Sequence, residues 1–281
     1  MATSSSLAEA ISALQRRYGA AAVRRGGDPV PAGVWATGLP VLDRLLDGGG
    51  LPLGRVAVLA GQGAASRGAD GAALAASGRL TLLQALLAIA SRSMQVAYVD
   101  LPGTLDAGYL ADLGADLHSC LVVRPPRGAA GPGLALARTL VRAGVPWVGI
   151  ALGPRPARAQ TWEHPLTALA EAAWSTRAVV CFSAPAPLAA PLAYASSLTL
   201  GCAPLAWQEA HGDVVGLRVR LDVLKSKVGA PGASSAALLR YPRPHAVGDV
   251  VGLPMLLPEA RPAALPQPAT GRGAQLPALA G

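Results

Sequence analysis

The stretch WATGLPVLDRLLDGGGLPLGRVAVLAG, residues 35–61, closes on a short apolar run, RVAVLA (55–60), bounded by glycines on both sides. A continuous apolar run of that length, ending in Gly61, has the form of a strand buried on both faces. The next regular segment, RLTLLQALLAIASR (79–92), has helical composition and length, and QVAYVD (95–100) reads as a second buried strand. Farther along, residues 132–143 predict a helix and 145–152 (VPWVGIAL) a third strand; residues 164–177 predict a helix and 178–183 (AVVCFS) a fourth strand. Strands alternating with helices imply an α/β fold with a mostly parallel central sheet flanked by helices. From residue 195 the texture changes. Residues 197–202, 214–225 and 236–241 predict shorter strands joined by turns, which points to a C-terminal antiparallel meander.

Outward from this core lie two extensions. Residues 1–33 predict an N-terminal helical arm and linker. Ser4–Ser6 offer an N-cap, and Leu7, Ile11, Leu14 and Tyr18 fall on one helical stripe. A Gly/Pro-rich linker, 26–33, follows it. A lone stripe on a tether must dock on its own core or on a neighbour, so these four residues are candidates for a partner interface. Residues 34–250 read as one core domain. Residues 251–281, rich in Pro and Ala and without periodicity, read as a disordered tail.

Composition narrows the function classes. The chain has 281 residues, of which 52% are hydrophobic, enough for one sizeable core. Its formal charge is +8, which permits contact with nucleic acid or an acidic partner, although the basic residues are thinly spread. The three cysteines, Cys120, Cys181 and Cys202, form no CxxC pair, so neither a disulfide framework nor a zinc site is expected. The first residues lack the basic-then-apolar order of a signal peptide, and prolines interrupt the most apolar run, 178–206. A cytoplasmic protein without a membrane contact is expected.

Three collinear stretches carry a resemblance: residues 35–61; QVAYVDLPGTLDAGYLADLGAD, 95–116; and LAYASSLTL with VVGLRVRLDVLKSKVGAP, within 192–232. Together they resemble bacterial RecA, over roughly residues 7 to 245, without RecA's extra C-terminal domain. The resemblance implies a RecA-like P-loop NTPase core.

It also shows where a nucleotide site should lie. A phosphate-binding loop needs G-x-x-x-x-G-K-[ST], because glycine backbone N–H groups wrap the phosphates, Lys neutralises them and the hydroxyl holds Mg²⁺. Two registers are open. Gly63 and Gly68 have the glycine spacing, and Ala69 and Asp70 then replace Lys and Ser/Thr. Alternatively SGRLT (77–81) sits before the helix, with Arg79 for Lys and Leu80 for the magnesium hydroxyl. The remnant site is therefore Gly61, Gly63, Gly78, Arg79 and Thr81. Where the family places a Mg²⁺-supporting Asp, the third strand ends in Leu152-Gly153, and where it has a water-activating Glu, YVDLPGTLD (98–106) has Pro102. Asp100 and Asp106 survive at positions expected to be structural. The resemblance, read with these losses, implies no catalytic residues, no metal, no bound ATP cofactor and no ATPase activity.

Two loops that line the filament axis in RecA are expected to be shortened here to 153–165 and 183–191. The first keeps Arg155, Arg158 and Trp162, a set suited to weak DNA contact. Lys225 and Lys227, the two lysines of the chain, match a pair that in RecA reaches toward a neighbour's ATP phosphates. At strand spacing they share a face. The resemblance is greatest to ImuA-type SOS mutagenesis proteins, and it implies an accessory role in DNA repair and translesion synthesis. The implied partners are RecA or polymerase-type proteins, with self-association a further option. The competing expectations are a divergent DNA-dependent ATPase and a RecA-like regulator such as a cell-division inhibitor.

Overall fold

The computed structural model describes residues 33–62, 77–126, 130–153 and 163–241, the helical residues 9, 12–14 and 16, and the backbone of strand 256–258. Its elements run β1 (Val34–Trp35), α1 (Pro40–Leu45), β2 (Leu51–Pro52), β3 (Val56–Gly61), α2 (Arg79–Ser91), β4 (Val96–Asp100), α3 (Ala107–Asp112), β5 (Cys120–Val123) and α4 (Ala130–Arg142). There follow β6 (Trp147–Ala151), α5 (Glu163–Thr176), β7 (Val179–Ala184), α6 (Ala186–Ala195), β8 (Leu198–Ala210), β9 (Asp213–Ser226), β10 (Ser234–Arg240) and β11 (Leu256–Pro258).

Nine strands form the main sheet in the order β11-β10-β9-β8-β3-β7-β6-β4-β5. From β8 to β5 all neighbours are parallel, and β8, β9, β10 and β11 pair antiparallel. The central strands β3, β4, β6 and β7 are buried at every residue, as continuous apolar runs covered on both faces must be. One face packs Leu59, Tyr98, Trp147 and Cys181 against α1 and α2, with Leu82, Leu83, Leu86 and Leu87 buried on α2. The other packs Val58, Val99, Ile150 and Phe182 against α4, α5 and α6. The fold is thus α/β with a mostly parallel sheet flanked by helices and a C-terminal antiparallel meander.

Three segments differ from the sequence expectation. The loop expected at 183–191 is helical from Ala186, as the first turns of α6. Pro187 lies in the opening turn, where a missing N–H costs nothing, and Pro191 removes a single rung inside the helix. Burial of Leu188 and Leu192, one turn apart, offsets that lost rung. Strand β5 gave no sequence signal because it lies at the sheet edge, with exposed Leu121 and Val122 where alternation would demand one polar residue. Within the segment read as a patternless tail, Leu256–Pro258 pairs with Ala237–Leu239. Its neighbours on either side lie outside the described residues.

Candidate nucleotide edge and the lysine corner

In an open parallel sheet, ligands bind beyond the carboxyl ends of the strands. Here that edge carries Gly61 of β3, Asp100 of β4, Ala151 of β6 and Ser183 of β7. Helix α2 starts at Arg79, so the structure places the turn of the second register, Ser77–Thr81, at the helix N-terminus. Gly63, Gly68 and Asp70 of the other register lie outside the described residues.

Gly78 is the residue before the helix, with φ +72° in the left-handed region. A Cβ there would stand 2.5 Å from Leu239 Cδ1 and 3.1 Å from Val219 Cγ1. The turn is therefore pressed against the antiparallel meander, and glycine is required twice over, by backbone and by space. Arg79 folds back over the end of β3. A Cβ on Gly61 would lie 3.6 Å from its Cδ, and its Nη1 donates to Ser77 Oγ at 3.4 Å. Its Nε is buried and makes no hydrogen bond. Burial holds this guanidinium below its ordinary pKa, against the opposing influence of Cys202 and Tyr98. A working phosphate lysine extends into the loop; this arginine is partly withdrawn into the protein.

Thr81 sits on a different side. Its hydroxyl faces the phenols of Tyr109 on α3 and Tyr241 beyond β10. Burial, and then the neighbouring Tyr241, push the Tyr109 phenol up to about 12. Of the sequence-named remnant, Gly61, Gly78 and Arg79 come together and Thr81 is turned away.

The carboxylates of the following segment have structural partners. Asp100 is fully buried and accepts from the backbone N–H groups of Gly103, Thr104 and Leu105 at 2.9–3.1 Å, with Arg124 Nε at 3.4 Å. It shapes the turn that carries Pro102. Asp106 caps α3 by accepting from Gly108 N at 2.8 Å. Leu152 is buried, and its N–H donates to Ser183 O at 2.9 Å. The Ser183 hydroxyl is itself buried without a hydrogen-bond partner. Nothing in AVVCFS distinguished Ser183, or Tyr109 and Tyr241, because these groups acquire meaning only when strand ends are brought together.

Lys225 and Lys227 lie at the opposite, amino edge of the sheet. Lys225 pairs with Thr199, and a register shift between Thr199 and Leu200 leaves Leu224 unpaired. The Lys225 ammonium donates to Ala193 O and to Ser196 O, the latter at 3.1 Å, and Lys227 Nζ donates to Tyr194 O at 3.3 Å. Both lysines therefore share a face and hold the C-terminal carbonyls of α6, where a cation complements the helix dipole. Burial, then the charge of Lys227, lowers the pKa of Lys225.

Of the arm, Leu14 is described and is 43% exposed; Leu7, Ile11 and Tyr18 lie outside the described residues. So do Arg155, Arg158 and Trp162. No helix among the described residues is long and apolar enough to cross a membrane.

The model of the RecA N-terminal domain matches residues 5–150, just over half of the chain. Among curated relatives, Protein RecA of Streptomyces venezuelae is 34% identical over 138 residues, 48% of this chain and 33% of the relative. Protein RecA of Chloroherpeton thalassium is 33% identical over 138 residues, covering 48% of this chain and 35% of the relative. Protein RecA of Xylella fastidiosa is 34% identical over 141 residues, with shares of 49% and 37%. The match thus spans about a third of the length of these relatives. The turn at Gly78 and the parallel strands on either side of it fall within the matched residues, and the chain belongs to the RecA N-terminal domain family.

Proposed function

We propose that this chain is a non-catalytic RecA-like accessory protein of the DNA damage response. It supports or regulates SOS mutagenesis and translesion synthesis through contacts with RecA and polymerase-type partners, in the manner of the ImuA-type proteins it resembles. The observation that carries this reading is the state of the phosphate turn. Arg79, in the place of the phosphate lysine, lies back over Gly61 with its Nε buried. A planar guanidinium and a compact lysine ammonium are not interchangeable at a phosphate. The strand that would offer a carboxylate ends in buried Leu152, and the place of the water-activating Glu is Pro102 in a turn tied down by Asp100.

Hydrolysis of ATP by the purified chain, with and without single-stranded DNA, tests the reading. The expected rate is the buffer background, and the thermal midpoint should not move with ATP and Mg²⁺. DNA-stimulated turnover would establish the divergent ATPase instead. A pull-down with RecA, ATP analogue and single-stranded DNA should retain the chain, and Lys225→Ala/Lys227→Ala should weaken that retention. Equal retention of the double variant would remove the lysines from the interface.

A further inference from the structure

At the meander end of the sheet, three features of the described residues converge on the chain that follows β11. The first is direction. Leu256, Leu257 and Pro258 pair with Leu239, Leu238 and Ala237, so the chain leaves Pro258 heading along Ala236, Ser235 and Ser234. Among the described residues, no strand lies beside those three on that side.

The second is hydrogen-bonding parity. Tyr241 N donates to Val215 O and Val223 N to Ala233 O, so the odd-numbered residues of β10 exchange their bonds with β9. Backbone groups alternate between the two sides of a strand, and the N–H and C=O of Ser234, Ala236 and Leu238 therefore point to the β11 side. With Leu257 opposite Leu238, the odd residues of the incoming strand are the bonding ones. Pro254, Pro258 and Pro262 all fall at even positions, which in this register need no N–H toward β10. Prolines at every fourth residue suit the outer side of an edge strand.

The third is the surroundings. A cleft of about 400 Å³ lies between Val41, Arg44 and Leu45 of α1 and Ala233, Ser234 and Ser235. On the sheet face away from α1, Arg220 stands across from Ala236 and Asp222 across from Ser234. Arg220 Nε and Asp222 are joined at 3.1 Å, and Ser234 Oγ donates to Asp222 at 2.6 Å. Carried on by three residues, the register sets Glu259 opposite Ala236, Ala260 opposite Ser235 and Arg261 opposite Ser234. The acid then joins the row of Arg220, the base joins the row of Asp222, and the small residue takes the cleft side.

We propose that residues 259–261, which lie outside the described residues, continue β11 as a strap that pairs with Ser234 and Ala236 and covers the cleft beside α1. The strap closes this edge of the sheet with the chain's own segment, and its prolines blunt the new edge against further pairing. A partner strand reaches β10 only by displacing it. A second copy fits the edge less well, because it would have to enter where the chain's own residue 259 leaves Pro258. The inference does not depend on the state of the nucleotide site.

Paired cysteines in the full chain test it. Ser235→Cys/Ala260→Cys places thiols at a non-hydrogen-bonded pair, where Cα atoms lie about 4.5 Å apart and a disulfide can close. Ser235→Cys/Arg261→Cys places them on opposite faces. Under oxidised glutathione, with the crosslink located by peptide mass spectrometry, the first variant should close at least tenfold faster than the second. Cys120, Cys181 and Cys202 are common to both, so their background cancels. Equal rates, or a crosslink between two copies, would overturn the proposal. Amide exchange needs no cysteine. Glu259→Pro removes the N–H aimed at Ala236, and should speed exchange of the Ser234 and Ala236 amides at least tenfold. The Ser235 and Ala237 amides, bonded to β9, should keep their rates. A uniform change across the four amides, or no change, would sink the strap as well.

Discussion

The two edges of the sheet treat positive charge in opposite ways. At the carboxyl edge, Arg79 is drawn inward and desolvated, and among the described residues its guanidinium donates to the Ser77 hydroxyl at a long 3.4 Å. At the amino edge, Lys225 is also partly desolvated, but three carbonyl contacts shared with Lys227 compensate it. A partly buried cation stabilises a fold only when acceptors replace its water. The first edge keeps Gly78 and leaves its cation poorly compensated, whereas the second has made its cations part of the architecture.

The shape at the carboxyl edge should be the more costly to disturb. Gly78→Val forces a β-branched residue into the left-handed region and drives its side chain into Leu239 and Val219. A loss of about 2–4 kcal/mol in urea unfolding is expected. Gly232→Ala is the control: φ is +96° there too, but nothing lies within 4 Å of the new methyl. Its cost should stay near 1 kcal/mol. Equal losses in the two variants would mean that the turn is not packed against the meander as described.

The charge contrast should show as a difference in sign. Lys225→Met deprives the end of α6 of a cation and two hydrogen bonds, and should cost about 1 kcal/mol. Arg79→Met removes a poorly compensated charge and keeps an apolar stem over Gly61, so stability should stay level or rise by up to about 1 kcal/mol. Unfolding midpoints measured side by side decide the matter. If Arg79→Met is the more destabilising of the two, Arg79 is structural and the contrast between the edges fails.

How much of this could be read from the chain differs between the edges as well. Strands β3, β4, β6 and β7 were legible because a buried parallel strand is a continuous apolar run, and α2, α4 and α5 because their lengths and composition leave no other reading. Asp100 and Asp106 were expected to be structural from the resemblance alone, and each accepts from backbone N–H groups of the turn or helix that follows it. The common face of Lys225 and Lys227 followed from strand periodicity. Their acceptors did not, because the C-terminus of α6 is more than thirty residues away in sequence. Helix α6 itself was hidden by its prolines, which argue for a loop until the burial of Leu188 and Leu192 is known. Arg79 was legible as a substitution for lysine, but its inward direction was not, since that depends on how Gly61, Ser77 and Cys202 converge from three segments. Sequence reports the residue types of a site, and packing decides which way they point.

The smallest effect concerns the place to which Thr81 has turned. Its hydroxyl faces Tyr109 and Tyr241, whose pKa values are both raised, chiefly by burial, with Tyr109 near 12. An unfolded tyrosine ionises at about 10. The folded state therefore holds its phenolic protons longer than the unfolded state does, and stability is fully present below about pH 10 and declines as pH rises toward 12. Because both rings are partly open to solvent, the slope contributed by this pair should be about 1 kcal/mol per pH unit or less. Tyr109→Phe removes the phenol raised to about 12 and should flatten the decline between pH 9.5 and 11, measured as urea midpoints, while the slope below pH 9 stays as it was. An unchanged alkaline slope in Tyr109→Phe would show that the phenol is already hydrated in the folded state. Thr81 would then face an open cleft and not a closed one.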